Sequence, residues 1–297
     1  MPILYMLIGL SGSGKSTWAD KKVASRPAGS IVHLSSDAIR GELWGDENDQ
    51  QNPAKVFNLM LKRTRLALNN GQDVIYDATN LKRKNRMHVV ETVRKTIHQA
   101  LFVEYVIFNR PVSECIQNDA HRARTVGTSV IERQYRQFQF PTDNEGYDHL
   151  CMAFSRHADE AAMIERIIDF GSQHNPHHTE SLYEHSLQCK IHMHSKIRAD
   201  VSCDIHVAAL FHDYGKCFTQ TFDENGVAHY YCHENISAYE AMFVLPPYYC
   251  AVIGLHMLPF TTTTRPKYVS EGMWADVMLL HECDVAASKP AREQDSV

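Results

Sequence analysis

The sequence predicts an α/β fold with a mostly parallel sheet in its first part, followed by a second module of different character. Three observations support this prediction: a phosphate-binding motif directly after a short apolar run, an alternation of apolar runs with helical stretches, and a change of composition along the chain. Residues 1–170 have a net charge of +2 and residues 171–297 one of −7, while 12 of the 18 histidines lie in the second segment. We therefore expect two domains, 1–170 and 171–297.

The motif GLSGSGKST follows the apolar run ILYMLI and matches the P-loop pattern G-x-x-x-x-G-K-[ST]. Its glycines let backbone N–H groups surround phosphate, its lysine reaches the β- and γ-phosphates, and its first hydroxyl binds Mg²⁺. ATP and Mg²⁺ are therefore the expected ligands. The residues expected to hold them are Gly9, Gly12, Ser13, Gly14, Lys15, Ser16 and Thr17.

Further strands are predicted at the spacing of α/β folds, in the segments 31–36, 73–79, 101–108 and 164–170. In parallel sheets the chemistry lies at the carboxyl ends of the strands. Asp37 follows one strand and is placed to accept a proton from an attacking hydroxyl. Asp77 closes the next strand and is placed to organise the metal or its water. For each carboxylate, capping of the following helix is the alternative role.

The basic run Lys82-Arg83-Lys84-Asn85-Arg86 comes directly after the third strand. We expect it to steer a nucleic-acid backbone, and a solvated helix face is the alternative. The chain has no large positive excess, which argues against tight non-specific binding of nucleic acid. A short nucleic-acid end or a single nucleotide is the more fitting acceptor.

Three segments of the first module, SSDAIR (35–40), GQDVIYDATN (71–80) and the stretch 121–148, resemble the P-loop kinase module of polynucleotide 5′-hydroxyl kinases over about residues 1–170. The resemblance implies that Asp37 is the general base for the 5′-OH and that Arg40 contacts the acceptor. It also implies a lid over 121–136 whose arginines, Arg122 and Arg124, close over the phosphates. The usual Val-Pro of this lid is Val126-Gly127 here.

The second module contains an adjacent His212-Asp213 pair at the end of an apolar helical stretch. One carboxylate can bridge two cations while the neighbouring imidazole binds one of them, so the pair predicts a metal site. Further ligands are expected from His185, His233, His256 and Asp284. Taken one at a time, each histidine is also typical of a core or surface position.

The order H…HD…H…H…D resembles the HD superfamily of metal-dependent phosphohydrolases in its binuclear form, over about residues 172–288. The resemblance implies an all-α bundle with ligands that project inward. Two cations ~3.5–4 Å apart would acidify a water and bind phosphate oxygens. Imidazole and carboxylate ligands suit Mn²⁺, Fe, Co²⁺, Ni²⁺ or Zn²⁺. The resemblance also implies that Lys216 contacts the substrate phosphate, with an exposed lysine at a helix end as the alternative.

The two modules together resemble the HD-domain polynucleotide kinases of RNA repair, with the kinase first instead of second. This resemblance implies an end-healing enzyme that phosphorylates 5′-OH ends with ATP and removes 2′,3′-cyclic or 3′-phosphates. The implied partners are nucleic-acid ends, RNA rather than DNA, and a separate ligase. Two alternatives stay open: a nucleoside or small-alcohol kinase fused to an HD nucleotidase, and a nucleotide-switched binding protein.

The location of the chain is expected to be cytoplasmic. No apolar run is long enough to cross a bilayer, and the apolar N-terminus lacks a basic leader. The eight cysteines are scattered without a C-x-x-C pair, as is typical of free thiols in a reducing compartment. We therefore expect no membrane partner.

Overall fold

The computed structural model describes residues 1–47, 51–122, 124–155, 159–196 and 204–288. The chain divides into two compact units: the first unit contains 1–134 and 144–155, and the second contains 135–143 and 156–297. The domains 1–170 and 171–297 remain a prediction, since the compact units change at other positions. Cys203, expected to be a free thiol, lies outside the described residues, whereas the other seven cysteines are free.

The first unit contains a five-stranded sheet in which every pairing is parallel. Its order is β2-β3-β1-β4-β5, so the strand before the P-loop is central. That strand is buried along almost its whole length, because helices cover both faces of such a sheet. The strands are β1 Ile3–Ile8, β2 Ile31–Ser35, β3 Asp73–Asp77, β4 Phe102–Ile107 and β5 His149–Met152.

The helices of the first unit alternate with these strands, which confirms the predicted parallel α/β architecture. They start directly after the strands that carry the predicted functional residues. The P-loop thus lies between β1 and the first helix, and Asp37 lies in the first turn of the second helix. The helices are α1 Lys15–Ala24, α2 Ser36–Trp44, α3 Pro53–Asn69, α4 Arg83–Thr96, α5 Val112–Ala120 and α6 Thr128–Arg136.

The strand predicted over 164–170 is wrong, because this segment ends the helix α7 (Glu160–Phe170). Asp159 caps the helix by accepting hydrogen bonds from two backbone N–H groups of its first turn. Met163 and Ile167 are buried and lie four residues apart, which is helical spacing. The fifth strand is instead β5, a segment of only four residues.

The second unit is mostly helical, with one short antiparallel pair of strands. The predicted all-α fold is therefore confirmed only in its helical character, because the unit also contains this pair of strands. The pair exists because Asp223 accepts backbone hydrogen bonds from Asn225 and Val227 around Gly226, whose φ is +76°. The elements among its described residues are α7, α8 Leu182–Lys196, α9 Asp204–Phe211, α10 Lys216–Thr219, β6 Thr221–Phe222, β7 Ala228–His229, α11 His233–Ala241, α12 Pro247–Ile253, a 3₁₀ helix Leu258–Phe260 and α13 Glu271–Ala287.

Among the described residues, no helix combines the length and apolar character needed to cross a membrane.

Candidate active sites

The P-loop of the first unit needs glycine where the sequence has it. Gly12 and Gly14 have φ values of +75° and +98°, in the left-handed region that side chains disfavour. A Cβ on Gly12 would also lie 2.1 Å from the carbonyl oxygen of Cys115. Lys15 is buried, and its Nζ donates to the carbonyls of Gly9 and Leu10 at 3.0 and 2.6 Å. Burial lowers the pKa of this ammonium.

Oxygen atoms suited to Mg²⁺ meet directly beside the P-loop. The Ser16 hydroxyl donates to Asp77 Oδ2 over 3.1 Å. His33 Nε2 lies 3.0 Å from the same oxygen, and Asp77 is buried. A hydroxyl and a carboxylate are hard ligands of the type that Mg²⁺ binds together with phosphate oxygens, so these residues fit the ion.

Asp37 lies in the same cleft, between two arginines. Ser35 caps α2, which places Asp37 in the first helical turn. Arg40 Nη1 lies 2.5 Å from Asp37 Oδ1, and Arg124 Nη1 lies 3.3 Å from Oδ2. Arg124 also donates to Glu47 Oε2 at 2.7 Å. The carboxylate therefore has cations on both sides, while 41% of its side chain stays open to solvent.

The predicted lid segment is described apart from Ala123, which lies outside the described residues. Arg122 lines the cleft with a side chain that is 43% exposed, and its Nη1 lies 3.9 Å from Asp119. The buried Asp119 accepts the backbone N–H groups of Val126 and Gly127 at 3.0 and 2.9 Å. Gly127 has a φ of +89°, which proline cannot adopt. A proline could therefore not replace Gly127 without a change of the local backbone.

Most of the predicted kinase residues line one cleft of about 1010 Å³ within the first unit, whereas Gly9 and Ser13 do not: the lining includes Gly12, Gly14, Lys15, Ser16, Thr17, Asp37, Arg40, Asp77, Arg122 and Arg124. Sequence reasoning missed Arg110, Arg133 and Phe154, which also line it. Arg110 Nε donates to the carbonyl of Ser13 at 3.1 Å, and its guanidinium lies 4.6 Å from the centre of the Phe154 ring. Arg110 follows β4 as Asp37 follows β2, so the rule of strand carboxyl ends could have found it.

The expectation for the basic run 82–86 is wrong at Arg86. This side chain is fully buried and makes two 2.8 Å hydrogen bonds to the carboxylate of Glu145. Its Nη1 donates to the carbonyls of Asn80 and Leu81, and Arg83 also contacts Glu145. Arg86 therefore holds the loop after β3 and is not a surface cation.

A second cluster lies in the second unit and brings together all six predicted ligands. Four of them form one set: His185 from α8, His212 and Asp213 from the turn directly after α9, and Asp284 from α13. His185 Nε2 lies 3.3 Å from His212 Nε2, 3.4 Å from Asp213 Oδ2 and 3.1 Å from Asp284 Oδ1. All four residues are buried.

The other set shares Asp213 and adds His233 and His256. Here the carboxylate uses its second oxygen: Asp213 Oδ1 lies 3.0 Å from His233 Nε2 and 3.6 Å from His256 Nε2. The two imidazole nitrogens lie 3.2 Å apart. Each oxygen of Asp213 thus faces its own set of nitrogen atoms, as a bridging carboxylate would.

Hydrogen bonds to backbone fix the tautomer of three of these rings. The Nδ1 atoms of His212, His233 and His256 lie 2.7–2.8 Å from the carbonyls of Ala209, Tyr230 and Ile253. A carbonyl can only accept, so each Nδ1 carries a proton, and Nε2 is the atom that each ring presents to the cluster. The Nε2 atoms of His233 and His256 lie 3.2 Å apart, close enough to bind one cation. This donor set therefore fits a metal ion.

Lys216 is buried and lies against the cluster, which rules out the alternative of an exposed lysine at a helix end. Its Nζ lies 2.7 Å from Asp213 Oδ2 and 2.8 Å from Gln173 Oε1. Burial opposes ionisation of Asp213, but Lys216 and His212 outweigh it and hold the pKa of this carboxyl well below its usual range. Against the same effect of burial, Asp213 and Asp284 raise the pKa of His185 to about 9.

Sequence reasoning missed the residues that support these ligands. Glu180 Oε1 lies 2.8 Å from His178 Nδ1 and 3.4 Å from His185 Nδ1. Gly215 allows α11 to approach, because a Cβ there would lie 2.1 Å from the carbonyl oxygen of His233. The sequence signal was present in HDYGK, where glycine follows the metal pair.

Residues 4–141, just under half of the chain, match the model of the AAA domain family. This match agrees with the P-loop α/β fold of the first unit. None of the curated proteins is similar enough in sequence to count as a relative.

Several solved structures are similar to parts of the chain. A chain of the Pnkp1/Rnl/Hen1 RNA repair complex shares 24% identity with a TM-score of 0.42, over 53% of this chain and 52% of that one. A fungal RNA kinase shares 16% identity with a TM-score of 0.38, over 57% and 85% of the two chains. A gluconokinase from Sinorhizobium meliloti shares 18% with a TM-score of 0.32, over 51% and 81%. This chain thus spans about half the length of the first of these.

Proposed function

We propose that the chain is a bifunctional end-healing enzyme that acts on broken nucleic acid, RNA in particular. Its first unit would transfer the γ-phosphoryl group of ATP to a 5′-OH end, and its second unit would remove a 2′,3′-cyclic or 3′-phosphate. One observation supports the proposal above all others. The same chain combines a P-loop cleft that contains an open carboxylate with a cluster of six candidate metal ligands, in which two sets share the carboxylate of Asp213.

In the kinase reaction, Asp37 would accept the proton of the attacking 5′-OH, and Arg40 would hold the acceptor next to it. Lys15 would leave its two carbonyl partners to contact the β- and γ-phosphates. Ser16 would hold Mg²⁺ and Asp77 would organise it, and the bound ion supplies neutralisation of the phosphate charge. Lid arginines Arg122 and Arg124 would spread the charge that develops in the transition state.

In the phosphate-removing reaction, the ligand sets that share Asp213 would hold two divalent cations. When bound, these cations supply an acidified water and a clamp on the phosphate oxygens. Lys216, buried beside Asp213, would contact the substrate phosphate. The Nδ1 hydrogen bonds of His212, His233 and His256 already turn the Nε2 atoms toward the cluster, so these rings would not have to rotate to bind metal.

The combination has a chemical logic. RNA cleaved through its 2′-OH leaves a 2′,3′-cyclic phosphate on one side and a 5′-OH on the other. A ligase needs a 3′-OH and a 5′-phosphate. A kinase and a phosphohydrolase acting on different ends would supply both, whereas acting on one small substrate they would only consume ATP. The implied partner is a separate ligase.

The test is one reaction with two readouts. The full chain is incubated with γ-labelled ATP, Mg²⁺, Mn²⁺ and a short RNA with a 5′-OH and a 2′,3′-cyclic phosphate, and both ends are resolved. We expect label at the 5′ end and loss of the cyclic phosphate. Lys15→Ala should abolish only the first and Asp213→Ala only the second, while the exposed Lys95→Ala and Asp169→Ala should change neither.

If both ends of the RNA stay unchanged while nucleosides or nucleotides are converted, the chain is a small-substrate kinase with an HD nucleotidase. If neither class is converted but ATP binds, the chain is a nucleotide-switched binding protein. Either result would refute the proposed function.

A further inference from the structure

We propose that Glu104, His149 and Cys151 form a binding site for one divalent transition-metal ion, best suited to Zn²⁺, at the edge of the sheet in the first unit. Each offers one ligand atom, and all three atoms lie within 4.8 Å of one another. None of them lines the ATP cleft, and none belongs to the cluster around Asp213. The site is therefore distinct from the two candidate active sites.

The strand register brings these side chains together. Glu104 on β4 is paired with His149 on β5, and Val106 is paired with Cys151. Since side chains of a strand alternate between its faces, His149 and Cys151 lie on one face, and Glu104 lies beside them on the neighbouring strand. Two residues of β5 and one residue of β4 thus offer three ligand atoms on one face of the sheet.

The distances match those around a tetrahedral zinc ion. His149 Nδ1 and Cys151 Sγ each lie 3.4 Å from the same oxygen, Glu104 Oε1. Bond lengths of ~2.0–2.2 Å to N and O and ~2.3 Å to S place tetrahedral ligands roughly 3.3–3.6 Å apart. Two of the three separations are therefore those of ligands of one ion, and the third, between His149 Nδ1 and Cys151 Sγ, is at most 4.8 Å.

The surroundings allow an ion to enter and be retained. The His149 side chain is 57% exposed and the Glu104 side chain 21%, so one side of the site faces water. That side leaves room for a water as fourth ligand. Thiolate, imidazole and carboxylate together favour Zn²⁺ over Mg²⁺ or Ca²⁺, because sulfur is a soft ligand.

Binding would break the S–H bond of Cys151 and form a metal–sulfur bond. The thiol now donates to Glu104, and its proton would pass to the buffer as the ion takes its place. No oxidant or reductant is involved. The ion would then link the edge strand β5 to β4 through side chains as well as backbone.

The link has a consequence for the ATP cleft. Two residues after β5, Phe154 exchanges two hydrogen bonds with Asn109, at 2.8 and 3.0 Å, and its ring lies against Arg110. The ion would thus anchor the strand that delivers a wall of the cleft.

The test uses the full, reduced chain after removal of metal, titrated with Co²⁺. Thiolate bound to Co²⁺ gives a sulfur-to-metal charge-transfer band in the near ultraviolet, and the cluster around Asp213 contains no cysteine ligand. We expect this band in the wild type, its displacement by Zn²⁺, and its retention in Asp213→Ala. Cys151→Ser should abolish it, and His149→Ala should weaken Co²⁺ binding by more than tenfold. Cys217→Ser, another half-buried thiol, is the matched control and should keep the band.

A wild-type protein without the band, or a band that survives Cys151→Ser, would overturn the proposal. Circular dichroism of Cys151→Ser checks that the variant is folded, so loss of the band reports loss of a ligand. The band does not depend on turnover. Absence of the band would therefore not refute the proposed end-healing activity. Absence of that activity would likewise not refute the proposed metal site.

Discussion

Replacing His256 by Ala should remove one of two bound cations and leave the other. His256 belongs only to the set that His233 and Asp213 complete, with Nε2 atoms 3.2 Å apart. The other set keeps its four ligands. We therefore expect the substitution to weaken cation binding at one set far more than at the other.

The size of the effect follows from the number of ligands. The affected set falls from three protein ligands to two. Loss of a residue that only supports a ligand already costs ~10–100-fold in affinity, so loss of a direct ligand should cost at least about 100-fold. That factor corresponds to about 2.7 kcal/mol. The four-ligand set shares only Asp213 with the first, so we expect its affinity to change by less than about tenfold.

Isothermal titration of metal-free protein with Mn²⁺ or Zn²⁺ measures both events. The parent protein is the Cys151→Ser variant, which removes thiolate binding. In this parent we expect two cations per chain at the cluster. His256→Ala should retain one, and His256→Gln, which fills more of the buried volume, should behave alike. The exposed His177→Ala is the control and should retain two. One cation in the parent protein, or loss of both in His256→Ala, would refute the two-set reading.

Three further predictions concern other parts of the chain. Glu145→Gln leaves the buried Arg86 without its carboxylate and should lower the free energy of unfolding, measured by urea denaturation, by about 3–5 kcal/mol. Glu42→Gln, in an exposed ion pair, should change it by no more than about 1 kcal/mol, and equal losses would contradict the prediction. Asp37→Asn should lower kcat for 5′ phosphorylation by ~10²–10⁴-fold and keep ATP binding; unchanged kcat would exclude a general base here. Burial raises the pKa of Glu240 above 4.5, so stability should fall as pH rises from about 4.5 through the folded pKa, and Glu240→Gln should remove this slope.

Local patterns in the sequence were sufficient for much of the fold. Short apolar runs and glycines predict the strand before the P-loop, the starts of the helices and the parallel sheet. These signals are local, since each depends only on residues that are neighbours in the sequence. The segment 164–170 was misread because a short apolar run does not distinguish a buried strand from the buried face of a helix. The charged residues between its apolar ones fit the helical period, and the capping Asp159 marks the start.

The candidate sites divide in the same way. Six residues, Asp213 among them, are predicted as metal ligands from residue type and order, and the structure brings them together. What the sequence could not give was the division of the two carboxylate oxygens between two sets, which depends on the packing of five helical segments. Arg86 shows the opposite error, because its role depends on Glu145, 59 residues away. A basic run reveals nothing about a distant buried carboxylate.

The path of the chain between its compact units limits how the protein can be divided. Residues 135–143 belong to the second unit, although residues on both sides of them belong to the first. Phe138 and Phe140 in this segment are buried, and the Phe138 ring lies 4.9 Å from that of Tyr239. A fragment ending at residue 170 would keep these two rings but lose Tyr239, so apolar surface would face water. A fragment meant to contain the second unit must therefore include residues 135–143 as well as the segment after residue 155.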